Sequence, residues 1–104
     1  MKKKTINKKK INRECWNLDY ELILWINIHL KTYLKAAFKV IDGDYNKFTY
    51  RGTTYTLKQL VCHLIWLTND ILREYNWSFP SNEIQHKVDE MYDLLKLAHW
   101  NLWW

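Results

Sequence analysis

Two glycines and one proline in 104 residues leave this chain few places to turn sharply. Glycine supplies the positive φ, and proline the fixed φ, that tight turns use. An all-β sandwich or barrel needs many such turns, so that class is excluded. The length suits one domain, not two, and is too short for a large cofactor-binding α/β fold. A small, mainly α domain is what remains.

Apolar spacing places the helices. The first is expected to start after Asn17, a favourable N-cap, with Asp19 and Glu21 near the positive end of its dipole, and to run to about Val40. Leu22, Trp25, Ile26, His29, Tyr33, Ala36, Ala37 and Val40 recur at three- and four-residue spacing and predict its core stripe. Leu18, Ile23, Leu30 and Leu34 widen the stripe to about half the circumference, which predicts a central helix packed against two neighbours. Asp42-Gly43-Asp44 should end it, with Gly43 as a left-handed cap. Lys47 to Tyr50 and Thr53 to Tyr55 are β-branched and aromatic runs on either side of Arg51-Gly52, the pattern of a short hairpin. A lone ribbon is marginal in water, so it must lean on a helix. Thr56-Leu57-Lys58-Gln59 is a capping box that opens the second helix, whose face is Leu57, Leu60, Val61, Leu64, Thr68, Ile71, Leu72 and Tyr75. Residues 76 to 80 read as a loop. Asn82 with Gln85 starts a third helix bearing Ile84, Val88, Met91, Leu95, Ala98 and Leu102. The expected fold is mainly α: a three-helix bundle with a short β-hairpin between helix 1 and helix 2.

The charge is unevenly placed. Residues 1–13 hold seven of the sixteen basic side chains (Lys2, Lys3, Lys4, Lys8, Lys9, Lys10, Arg13) and no acid. The other 91 residues hold nine basic and eleven acidic side chains, a net charge of −2. The chain therefore divides into a basic arm, residues 1–13, expected to be disordered, and one helical domain, residues 14–104. Binding to nucleic acid can be argued for the arm through its lysines but not for the domain. The apolar run Leu22 to Leu30 contains Asn27 and His29, and Glu14, Asp19 and Glu21 separate it from the arm. Neither a secretory leader nor a membrane span is expected, and the expected location is the cytoplasm of a bacterial cell. Cys15 and Cys62 are expected to be free thiols.

Candidate chemistry is thin. Four histidines and two cysteines lack paired ligand spacing, so no metal is expected, and no cofactor. Asp89, Glu90 and Asp93, with Asp70 and Glu74, read as solvated faces more readily than as a magnesium site. There is no Gly-rich phosphate loop and no arguable nucleophile–base set, so a non-enzymatic protein is expected. What the core pattern does not absorb is aromatic. Trp66 and Arg73 on the second helix, and Leu97, Trp100 and Trp104 at the end of the third, point away from the core stripes. They can cover the hairpin or close the bundle's end, or they can form an oligomer or partner surface. Trp16, Tyr20, Lys35, Tyr50, Arg51 and Tyr55 lie in segments that could meet, rings to stack on a base and cations for phosphates, as a nucleotide site would need.

The segment Cys15-Trp16-Asn17-Leu18-Asp19-Tyr20, followed by Leu30-Lys31 and Leu34, resembles the opening of small helical proteins encoded by bacteriophages and other mobile elements. In these a Trp-x-x-Asp-Tyr signature begins a long helix that ends in a Leu-Lys pair. Phe48 to Thr56 and the closing Trp103-Trp104 are similar to phage sequences as well, and the likeness covers about two thirds of the chain. The resemblance implies a phage accessory protein that acts by binding. Many of these inhibit host defences, some by holding a nuclease or its guide complex in the anti-CRISPR manner, others by sequestering nucleotide signals.

Overall fold

The computed structural model describes residues 17–40, 42, 44, 46–75 and 81–102. The arm, Trp16, Gly43, the segment 76–80 and Trp104 lie outside the described residues. Among the described residues three helices and one hairpin follow in the expected order: α1 (Leu18–Ala36) with a 3-10 turn at Ala37–Lys39, β1 (Lys47–Tyr50), β2 (Thr53–Thr56), α2 (Leu57–Arg73) and α3 (Asn82–Ala98), which ends in a second 3-10 turn at His99–Asn101.

The hairpin turns on Arg51 and Gly52, at φ 49° and 81°. Two successive left-handed residues make the two-residue turn whose twist matches that of antiparallel strands. Phe48 then faces Tyr55 and Tyr50 faces Thr53 across the ladder. The half-buried Phe48, Tyr50 and Tyr55 pack on the helical core, and the Leu57 amide donates to the Asn46 carbonyl at 3.2 Å, fixing the ribbon to the start of α2.

Helix α2 opens with both bonds of the capping box: Gln59 N–H donates to Thr56 Oγ1 at 3.2 Å and Thr56 N–H to Gln59 Oε1 at 3.0 Å. It buries the widest face of the three helices, with Leu60, Val61, Leu64, Leu67 and Ile71 sealed from solvent. The central helix is therefore α2 and not the first helix, as the sequence suggested; α1 and α3 each pack on α2 and scarcely meet one another. The width of α1's apolar surface was misleading, because part of it faces outward.

Helix α1 is turned by roughly one residue, about 100°, from the expected stripe. Ile23, Asn27, Leu30 and Ala37 are buried, with Ile26, Tyr33, Leu34 and Phe38 beside them, whereas Leu22, Trp25, His29 and Val40 are exposed. The polar contact at the α1–α2 seam accounts for the turn. Asn27, 2% exposed, donates through Nδ2 to Thr68 Oγ1 at 2.8 Å and to Asn69 Oδ1 at 2.9 Å. Thr68 Oγ1 in turn donates to the Leu64 carbonyl at 2.8 Å. A buried amide that finds partners in only one orientation outweighs a choice between two similar apolar stripes. Asn17 stands at the N-cap position, but in the left-handed region (φ 54°) and without a side-chain cap bond. At α3 the cap is Ser81, whose hydroxyl accepts from Ile84 N–H at 3.2 Å, not Asn82. Leu94 joins Ile84, Met91 and Ala98 in the core.

Where α1 and α3 end near the hairpin, Asn101 ties the elements together: its carbonyl accepts from the Tyr33 hydroxyl at 3.3 Å and its side-chain oxygen from Asn46 at 2.7 Å. Among the described residues every buried side-chain nitrogen and oxygen has a partner. No helix among them is long and apolar enough to cross a membrane.

Candidate functional site

The core is mainly aliphatic, and no described indole lies in it. All three tryptophans among the described residues are exposed: Trp25 58%, Trp66 57% and Trp100 85%. Trp66 is set in a row of rings. Tyr55 on β2 lies 5.5 Å from His63 on α2, the planes 24° apart, and His63 lies 5.8 Å from Trp66, one turn on, at 15°. Near-parallel rings at these spacings form an offset ladder across the β2–α2 junction. Glu90 on α3 anchors its middle rung, accepting from His63 Nε2 at 3.1 Å. A shallow open groove runs beside Tyr55 and His63, with Lys58 and Gln59 in its wall and the exposed thiol of Cys62 at its edge.

Below the ladder lies an ion cluster. Asp70 of α2 is buried and accepts from both Arg73 and Lys87, and Lys87 also donates to Glu74 at 2.9 Å. The Lys87 hydrogen bond is the main cause that holds the Asp70 carboxyl below the ordinary carboxylate range, against the opposing effect of burial. The same carboxylates raise Lys87. The other carboxylates of interest are engaged as well: Asp93 accepts from the Tyr50 hydroxyl at 2.9 Å and Asp89 from Gln85 at 2.9 Å. Burial and the bond to Asp93 raise the Tyr50 pKa. Among the described residues no group of three or more His, Cys, Asp or Glu is placed to hold a metal ion.

Of the six residues considered for a nucleotide, Trp16 lies outside the described residues and the other five are not brought together. Tyr20 sits at the start of α1, edge-on to Tyr75 at 5.1 Å, beyond the far end of α2. The Tyr75 hydroxyl donates to Asp19, which pushes its pKa up to about 12. Lys35 lies fifteen residues along α1, about 22 Å from Tyr20 by helical rise. Arg51 covers the Tyr50 ring at 5.1 Å, Tyr50 is spent on Asp93, and Tyr55 turns to His63. Of the partner-surface set, Trp66, Arg73, Leu97 and Trp100 are all exposed, with Trp66 on the ladder and Trp100 edge-on to His99 at 4.8 Å.

Two features were missed in the sequence. Tyr55, His63 and Trp66 form one surface because the hairpin folds back on α2; the i, i+3 spacing of His63 and Trp66 was the visible half of that signal. The outward apolar side of α1 was assigned to the core. No family model, curated protein or solved structure matches the chain, so function is read from this surface alone.

Proposed function

We propose that this is a non-enzymatic binding protein of the phage accessory kind, which self-associates and holds a bacterial defence protein against its ring ladder. One observation carries the reading: a complete aliphatic core leaves Trp25, Trp66 and Trp100 in solvent, and one of them is built into an ordered row with Tyr55 and His63. Exposed indole and phenol rings held rigidly are the side chains that concentrate binding energy, because little conformational entropy is lost when they are covered. A protein target suits the ladder better than a free nucleotide does, since the rings and cations that a nucleotide needs are spread over both ends of the bundle. Lys58 and Gln59 supply a polar rim to the apolar strip.

The test is phage plating on bacteria that carry a panel of defence systems, with the full chain expressed in trans. Plating should recover on one system, and Trp66→Ala should abolish that recovery while thermal melting stays near the parent; Tyr55→Ala should abolish it too, with a lower melting temperature because this ring also packs on the core. Calorimetry with the purified target should place the Trp66→Ala loss at about 2 kcal/mol or more, the size of a central contact. Failure of plating to recover on any system, or variants that protect as well as the parent, would overturn the reading.

A further inference from the structure

Helix α1 has two apolar sides, and α2 covers one of them. On the other side Leu18, Leu22, Trp25 and Ile28 are all exposed and, with His29, line an open groove. The exposed Leu18, Leu22, Trp25, His29 and Thr32 keep a strict spacing of four and three, which the half-buried Ala36 continues. That is the spacing of a coiled-coil seam, apolar over its first half at Leu18, Leu22 and Trp25 and smaller or polar over its second. Trp25 and His29 are already stacked on it, 4.0 Å apart at 24°, with the His29 Nδ1–H bonded to the Trp25 carbonyl at 2.8 Å.

We propose that this seam pairs antiparallel with the same seam of a second copy, on a two-fold axis level with residue 27 and passing between Trp25 and His29. The charges decide the occupant and the direction. Glu21, Ile28 and Lys35, each seven residues from the next, form the open flank of the seam. Turning the helix end for end at the level of residue 27 brings Glu21 of one copy within two residues, about 3 Å of helical rise, of Lys35 of the other, so a carboxylate meets an ammonium at both ends. The same operation sets Leu18 against Ala36, Leu22 against Thr32 and Trp25 against His29, large side chains against smaller ones as close packing requires. It also opposes the two helix dipoles favourably. A parallel pair would instead set this flank against Asp19, Ile26 and Tyr33, the last two of which are packed on the core. The inference gives a geometry to the self-association proposed above and uses a different face from the ring ladder. It therefore stands or falls apart from the identity of any target.

Sedimentation of the full chain over a range of concentrations tests it. A reversible dimer is expected, weak because a two-helix contact lies at the small end of interface sizes. Trp25→Glu should leave a monomer that melts like the dilute parent, and Trp66→Ala should leave the dimer intact. Glu21→Lys and Lys35→Glu should each weaken the dimer roughly tenfold or more, because symmetry makes each reversal act twice. The double variant should restore it. A parent that stays monomeric at every concentration overturns the proposal, as does a dimer indifferent to Trp25→Glu, or one that the double charge swap fails to rescue. A monomer that dimerises only when residues 1–13 are deleted would show that the chain's own arm occupies the seam, and would equally overturn it.

Discussion

Asn27 decides which side of α1 is inside. Its amide, itself buried, meets the buried Thr68 hydroxyl and the side chain of exposed Asn69 at hydrogen-bond distance. Such a contact adds little net energy when made, but breaking it on one side is costly. Asn27→Leu is thus expected to lose about 1–3 kcal/mol in a denaturant melt, because the groups on α2 lose their donor. Adding Thr68→Val should recover a large part of that loss, since an apolar pair has nothing left to satisfy. A double variant no better than the single would mean that shape, not polarity, sets the cost. The same residue explains why Trp25 and Leu22 looked internal in the sequence. Two stripes one residue apart on α1 fit helical spacing equally well, and apolar periodicity cannot choose between them. What chooses is a pair of acceptors on another helix, and these become visible only when α1 and α2 are aligned.

The elements show a gradient of legibility that follows how local their signals are. The α2 capping box needs four consecutive residues and no tertiary contact, and it stands as written in the sequence. Thr56→Ala should cost about 1 kcal/mol, read as a fall in melting temperature, because one donor of the first turn of α2 loses its acceptor. The hairpin was legible for the same reason: its turn and strand residues are contiguous. Helix α1 was legible as a helix, but not in its cap or its facing. Asn17 adopts a left-handed conformation that forgoes the side-chain cap, and the facing depends on α2. The ring ladder required knowing that β2 folds back over α2, so only the two rungs on one helix could have been paired beforehand.

The whole molecule reads its pH range through a few groups. Asp70 is held below its ordinary range, so its contribution is present above the unfolded carboxylate value of ~4 and is lost as pH falls through the lower folded value. Lys87 and Tyr75 are raised, so theirs are present below unfolded values of ~10 and lost as pH rises through the folded ones. A melting temperature that is flat between about pH 5 and 9 and falls on both sides is expected, with Lys87→Met removing most of the acid-side fall. An unchanged acid limb in that variant would show that other carboxylates set it.

That α1 and α3 both lie on α2 and hardly on each other has one more consequence. Amide protons should exchange slowest in α2, whose bonds open only when the whole chain does, while α1 can lift as a layer. Protection of the α1 amides would then grow with protein concentration by mass action, as a neighbouring molecule closes the side that this one leaves bare.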